Sequence, residues 1–294
     1  EAKRLKVIGR AGVGVDNVDL EAATKQGVIV MNTPEGNTIS TSEHTMSLIL
    51  ALARNIPQAH ASVRRGEWKR NQFVGTELNG KVFGINGFGR IGREVATRAG
   101  AFGMRVLAYD PYIAKEGLRQ LGVEFTDFES LIKTSDFISL HVPLTDATKN
   151  IIDDKAFRLM KQGVFVINCA RGGLVDEKAL YQAVKSGRVR GAAVDVFEKE
   201  PPEKNPLLEL EQVLTTPHLG AATQEAQENV GVSVAQQVVD ALLERGIRNA
   251  VNLPSVDFET MRILKPWLIL AERIGSMHAQ LFGGSFREVS IRYG

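Results

Sequence analysis

Val82-Phe83-Gly84-Ile85-Asn86-Gly87-Phe88-Gly89-Arg90-Ile91-Gly92 sets an apolar run directly before a G-x-G-x-x-G turn, and a helix-like segment over 91–102 follows. In a strand–turn–helix context each glycine has a physical task. Gly87 permits the tight turn, Gly89 lets the backbone approach a pyrophosphate, and Gly92 allows close helix–strand packing. The helix N-terminus adds unsatisfied N–H groups and the positive end of its dipole, which together hold phosphates. Roughly 20 residues on, Tyr109-Asp110-Pro111 closes the next apolar run with a carboxylate. Asp110 can accept from both ribose hydroxyls and would repel a 2′-phosphate, which favours NAD over NADP.

The rest of the chain repeats this alternation. Apolar runs at 5–8, 28–31, 105–109, 137–140, 164–167, 192–196 and 213–215 read as strands. Between them lie helix-like segments at 20–26, 154–160, 177–185 and 223–245. A long helix is expected from about Ser42, with Ser42 as its N-cap and Pro57 ending or kinking it. Nearly continuous apolar strands belong to parallel sheets covered on both faces, so the fold class is α/β, doubly wound. Asn252-Leu253-Pro254 reads as a linker before a further apolar helix near 264–281. Neither an internal repeat nor a low-complexity tract interrupts the pattern.

Composition narrows the functional classes. The 294 residues are 44% hydrophobic and 24% charged, enough to bury a sizeable core. Lys+Arg 36 against Asp+Glu 34 leaves a net +2, which gives nucleic acid or an acidic membrane surface no support as partner. A single cysteine, Cys169, excludes an intrachain disulfide and a Cys-rich zinc site, so no metal is expected and a reducing, cytoplasmic setting fits. No apolar run approaches the ~20 residues of a membrane span. The start, Glu1-Ala2-Lys3-Arg4, is polar and lacks Met, so the chain is expected to begin inside a longer natural sequence.

Oxidation of a hydroxyl needs a group that takes its proton while hydride leaves the same carbon, and imidazole titrates in the right range. Of the five histidines, His218 stands on a loop after a strand and Pro217, the edge where open α/β sheets bind ligands. His44 and His60 read as surface or interface residues of the long helix, and His141 ends a strand beside the expected cofactor. Arg171, after the strand at 164–167, offers a planar fork to a carboxylate, or forms an ordinary surface ion pair. Cys169 next to it reads as a small packing residue rather than a nucleophile. Asp195, Glu198 and Glu200 crowd one strand end, and spacing alone does not choose which of them would orient a histidine. Gly12-Val13-Gly14 is a second glycine turn, either a rival nucleotide site or a tight turn beside a substrate pocket.

Taken together, 9–19, Asn32-Thr33-Pro34-Glu35-Gly36-Asn37, Glu77-Leu78-Asn79-Gly80-Lys81, the 87–92 turn, 169–176, 195–202 and Pro217-His218-Leu219-Gly220-Ala221 resemble the D-isomer-specific 2-hydroxyacid dehydrogenases, over nearly the whole chain. Within that family the long-form members that oxidise D-3-phosphoglycerate are the most similar. The resemblance implies a catalytic set of Arg171, Glu200 and His218, with Glu200 as the carboxylate that serves the histidine. It implies backbone contacts to NAD from Val13, Arg90, Ile91, Val142, Cys169, Ala170, Gly220 and Ala221, with Asp110 on the ribose and Asp195 near the nicotinamide. Arg10 and Asn37, with Arg171, match positions that line the substrate site. The implied architecture is a Rossmann NAD domain over 35–220 within a smaller flavodoxin-like substrate domain, 1–34 and 221–250. Residues 251–294 would begin a further domain, and the substrate would lie in the cleft. The family's chains extend further at both ends, including an arginine for the substrate phosphate. Also implied is a homo-oligomer, at least a dimer, built through 42–74; the basic run Arg64, Arg65, Lys69 and Arg70 near its end reads as a solvated face, or alternatively presents Arg70 to a neighbouring subunit's phosphate. The implied reaction is oxidation of D-3-phosphoglycerate to 3-phosphohydroxypyruvate, the first step of L-serine biosynthesis. Two alternatives stand beside it: a sister enzyme for glycerate, glyoxylate or D-lactate, and an NAD-sensing, corepressor-like binding protein.

Overall fold

The computed structural model describes residues 4–113, 122–253 and 258–282. The chain divides into two compact units, Glu1–Thr33 with Gly231–Gly294 and Pro34–Val230.

In the first unit β1 (Val7–Gly9) pairs parallel with β2 (Ile29–Met31) across α1 (Leu20–Lys25). Asp19 caps α1 by accepting the Ala22 N–H, and Ala23, Val28 and Val30 form the buried centre. Asn252, a linker residue by sequence, completes the edge of β2. Its carboxamide accepts the Val30 N–H and donates to the Val28 carbonyl, standing in for a neighbouring strand.

The second unit carries the long helix in two pieces, α2 (Thr38–Ala53) and α3 (Ile56–Arg64). This corrects the expected start at Ser42. Ser42 is buried within α2, four residues past its start, and its hydroxyl donates to the Ile39 carbonyl. Burial of the Ser/Thr-rich first turn overrides the cap preference of a lone serine. Asn55, left-handed at φ 51°, separates the two helices, and Pro57 sits in the first turn of α3, where its missing N–H costs nothing.

A seven-stranded parallel sheet follows: β3 (Val82–Asn86), β4 (Arg105–Tyr109), β5 (Val123–Phe125), β6 (Phe137–Leu140), β7 (Val164–Asn168), β8 (Val189–Val194) and β9 (Val213–Thr215). Their spatial order is β5-β4-β3-β6-β7-β8-β9. One face packs on α2 and α4 (Arg90–Ala101) through Ile49, Phe83, Ile85, Val95 and Phe137. The other packs on α5 (Phe128–Thr134), α6 (Asp154–Leu159) and α7 (Glu177–Lys185) through Leu131, Ile138, Phe157 and Leu180. Aspartates 127, 153 and 176 each cap the helix they precede by accepting first-turn amides. The chain leaves β3 towards β4 on one side and returns as β6 on the other. The carboxyl ends of β3 and β6 therefore flank the switch point where such sheets bind nucleotides. Two more α-helices follow, α8 (Gln224–Leu242) and α9 (Phe258–Phe282).

β5 and α5 lie outside the elements expected from sequence. β5 is a three-residue edge strand, Val-Glu-Phe, so it lacks the continuous apolar run of the central strands.

Candidate active site

The glycine turn leaves β3 through Gly87 at φ 96°, a conformation L side chains rarely adopt. It crosses so close to β6 that a Cβ on Gly87 would lie 2.5 Å from the His141 carbonyl oxygen. A Cβ on Gly92 would collide with the carbonyl oxygen of Gly87, so helix α4 seats directly on the turn. Around Gly89 the situation is opposite: a Cβ would meet no atom within 4 Å. Protein packing thus requires glycine at 87 and 92, whereas the space over Gly89 is open, as a bound pyrophosphate needs. Arg90 opens α4 and pairs with Glu35 at 2.8 Å.

Asp110 closes the cradle. One carboxylate oxygen accepts the Phe88 N–H at 2.8 Å and the other the Tyr112 N–H at 2.9 Å. A carboxylate has about four lone-pair sites, so two remain for ribose hydroxyls. Asp110→Ala is expected to weaken NADH binding by roughly 10- to 100-fold, the scale of one lost hydrogen bond to a charged group, and to narrow the preference over NADPH. Steady-state kcat/KM with both cofactors checks this; a ratio equal to wild type would overturn it.

Beside the turn, β6 ends at His141, whose Nε2 lies 3.0 Å from Ser139 Oγ. Burial pushes its imidazole down to about 4. The unfolded chain, titrating near 6.5, therefore binds the extra proton first, and stability falls as pH drops from about 6.5 to about 4. The full window corresponds to about 3 kcal/mol, and partial exposure of the residue trims it to about 2 kcal/mol. Urea unfolding across this pH range should show a loss in wild type larger by about that amount than in His141→Gln. Equal acid sensitivity would refute the assignment.

The next strand end carries the arginine. Asn168 closes β7 and shapes the following turn: its Nδ2 donates to the Arg171 carbonyl, and its Oδ1 accepts the Ala170 N–H. Arg171 Nη1 donates to the Ala170 carbonyl at 2.7 Å. Cys169 points into the core, and burial, reinforced by Asp195, pushes its thiol up to about 12, which leaves it unreactive as a nucleophile.

At the end of β8 and in the loop after β9 the remaining groups meet. Glu200 Oε2 lies 2.9 Å from His218 Nδ1, while Glu200 Oε1 accepts the Phe197 N–H. Of the three clustered carboxylates, Glu200 is the one that reaches His218. Glu198 is exposed, and Asp195 is fully buried on the other side of the loop. His218 itself is left-handed at φ 57°, and with Nδ1 engaged its Nε2 is the nitrogen presented to a ligand. Asp195 accepts from Thr216 Oγ1 at 2.5 Å, from the Leu219 N–H at 2.7 Å and from the Gly220 N–H at 2.9 Å. Burial acts to raise its pKa, but donors including His44, Thr216 and Leu219 outweigh this and hold it below the ordinary carboxylate range.

His44 was expected on the surface or at an interface. Instead its ring turns inward, with Nε2 3.2 Å from Asp195 and 3.3 Å from Thr216 Oγ1. Helical spacing from the correct start of α2 places it one turn beyond Ser40 on the same inward face. A start at Ser42 concealed that. Asn37 sits at the N-cap of α2 with a buried Oδ1, and Asn86 Nδ2 lies buried at the end of β3; neither atom has a hydrogen-bond partner among the described residues. Val142 follows β6 and packs on the core, and Ala221 follows Gly220. Arg10 and Val13 belong to the first unit. There Thr33 Oγ1 accepts the Gly12 N–H and Asn32 donates to the Val13 carbonyl, so this second glycine turn has its polar groups tied down locally.

A doubly wound sheet with a glycine cradle, a ribose-site acid and a Glu–His pair is dehydrogenase architecture. Residues 46–220 match the NAD binding domain of the D-isomer specific 2-hydroxyacid dehydrogenases, and the chain belongs to that family. The D-3-phosphoglycerate dehydrogenase of Methanocaldococcus jannaschii is 53% identical over 294 residues, covering 100% of this chain and 56% of the relative. That of Archaeoglobus fulgidus is 52% identical over 291 residues, covering 99% and 55%. The chain thus spans about half the length of these curated relatives. Among solved structures, D-lactate dehydrogenase from Aquifex aeolicus, complexed with NAD and lactic acid, has a TM-score of 0.78 at 36% identity, covering 86% of this chain and 81% of that one. Among the described residues no helix is long and apolar enough to cross a membrane.

Proposed function

We propose that the protein oxidises D-3-phosphoglycerate to 3-phosphohydroxypyruvate, the first step of L-serine biosynthesis. The observation that carries the chemistry is the Glu200–His218 hydrogen bond at 2.9 Å, on the sheet edge where the cradle opens. The substrate class is supported by the full-chain similarity to D-3-phosphoglycerate dehydrogenases at 53% and 52% identity.

Bound NAD would supply the hydride acceptor. Gly87, Gly89, Arg90, Ile91 and Gly92 would hold its pyrophosphate and Asp110 its ribose. Val142, Cys169, Ala170, Gly220 and Ala221 would give backbone contacts, with Asp195 near the nicotinamide. Arg171 binds the substrate carboxylate and polarises the oxygen on C2. His218 Nε2 takes the C2 hydroxyl proton as hydride leaves C2, and Glu200 holds the ring in register through Nδ1. Asn37 Oδ1, buried and with no hydrogen-bond partner among the described residues, is an acceptor suited to a substrate hydroxyl. Residues 1–34 with 221–250 form the substrate domain in this reading, 35–220 the cofactor domain, and 251–294 the start of a further one. The working enzyme is cytoplasmic and at least dimeric through 42–74, where Ile56, Val63, Trp68 and Val74 are exposed, Trp68 by 84%.

The test is NADH-dependent reduction by the purified protein of 3-phosphohydroxypyruvate against hydroxypyruvate, glyoxylate and pyruvate. One charge-assisted contact to a phosphate corresponds to a preference of roughly 10- to 100-fold in kcat/KM. Equal values for the unphosphorylated acids would overturn the substrate assignment, and no turnover on any of them would overturn the enzymatic reading.

A further inference from the structure

We propose that His44 is a positioning residue for the His218 loop, acting through Asp195. The inference rests on the reading of His218 as the proton-transfer group, and names what keeps that group in place. Three observations carry it. First, His218 is held left-handed at φ 57°, a conformation a non-glycine residue keeps only when its surroundings over-determine it. Second, Asp195 is the centre of that restraint. Its backbone carbonyl accepts the His218 N–H, and its carboxylate accepts the Leu219 and Gly220 N–H groups, three consecutive amides of one loop. Third, α2 grips the same loop. Ser40 Oγ donates to the Gly220 carbonyl at 2.9 Å, and one helical turn on His44 reaches both Asp195 and Thr216.

The side chain of His44 is 17% exposed and that of Asp195 not at all, so the pair lies where water is a poor substitute partner. Because a carboxylate only accepts, His44 Nε2 carries the hydrogen. Among the described residues it is the one ionisable side chain hydrogen-bonded to Asp195. Removing it leaves a buried carboxylate one donor short. Asp195 is then free to rotate towards solvent, and the amides that fix His218 lose their common acceptor.

Three variants test this: His44→Leu, which removes the donor; His44→Asn, polar but too short to reach Asp195; and His44→Gln, whose amide can occupy the Nε2 position. Leu and Asn should lower kcat by roughly 10- to 100-fold, the scale of a misplaced catalytic group. Both should speed amide hydrogen exchange in the 216–221 segment. Gln should restore both readouts; if His44→Leu does not fold, His44→Asn carries the same expectation. Exchange needs no turnover. Wild-type protection in His44→Leu and His44→Asn therefore overturns the inference whatever the activity, as does failure of Gln to restore either readout. Faster exchange with unchanged kcat also overturns it, and His218→Asn on the same assay then says what failed. If that variant is inactive, only the positioning role of His44 falls; if it is fully active, the reading of His218 falls with it.

Discussion

His218→Asn is expected to lower kcat by roughly 100-fold or more while NADH binding stays at the wild-type level. The two effects separate because the groups sit at different strand ends. The 87–92 turn and Asp110, proposed to hold the cofactor's pyrophosphate and ribose, lie at the ends of β3 and β4, whereas His218 follows β9 at the far side of the sheet. Asparagine retains a donor toward Glu200 Oε2, so the loop keeps its hydrogen bond, but it has no basic nitrogen to take the hydroxyl proton. The expected signature is therefore a fall in kcat and kcat/KM together, with KM little changed, the pattern of an interaction made only in the transition state. Stopped-flow or steady-state reduction of 3-phosphohydroxypyruvate, with calorimetric titration of NADH, reads both halves. A variant with unchanged kcat would remove His218 from the chemistry.

Gly92→Ala should act in the complementary way, abolishing most of the NADH affinity while leaving the Glu200–His218 pair intact. The added methyl would occupy the space of the Gly87 carbonyl oxygen, and the atom in its way is backbone, not the end of a flexible side chain. Either α4 moves off the turn or the turn opens, and both move the N–H groups that face the phosphates. Overpacking of this kind costs about 1–3 kcal/mol, which is roughly 5- to 150-fold in affinity if it falls on the bound state. Gly89→Ala at the neighbouring position is the control: it meets no protein atom, so a loss there reports ligand contact rather than strain in the fold. An NADH dissociation constant for Gly92→Ala equal to wild type would show that the cradle does not depend on the close seating of α4.

Much of this molecule is legible along the chain. The Val82–Gly92 segment, the acid at the end of the next strand and the apolar runs of the central sheet are properties of neighbouring residues. Periodicity and turn chemistry express them directly. Edge elements are less visible for the same reason. A three-residue strand carrying Glu124 on its exposed side buries too little to leave an apolar signature, so β5 carries no strand pattern in the sequence. The start of α2 was hidden in a different way. A run of Ser and Thr offers several caps of similar quality, but burial draws Ser40, Thr41 and Ser42 into the helix and leaves Asn37 as the N-cap.

The functional cluster shows the same division more sharply. Residue type and strand-end position pick out Arg171, His218 and a group of three acids, because strand ends of an open sheet are where ligands bind. Which acid serves His218 depends on the course of the loop after β8, which sends Glu200 to Nδ1 at 2.9 Å and turns Asp195 into the interior. The inward turn of His44 is beyond any local reading. It meets Asp195 across 151 residues of sequence, a contact created when α2 packs against the sheet near β8. Local sequence carries the identity of elements and the chemistry of each group. Pairings between distant groups follow from sheet order and helix seating, since only burial in a common core brings such side chains within hydrogen-bonding distance and excludes the water that would otherwise satisfy each of them separately.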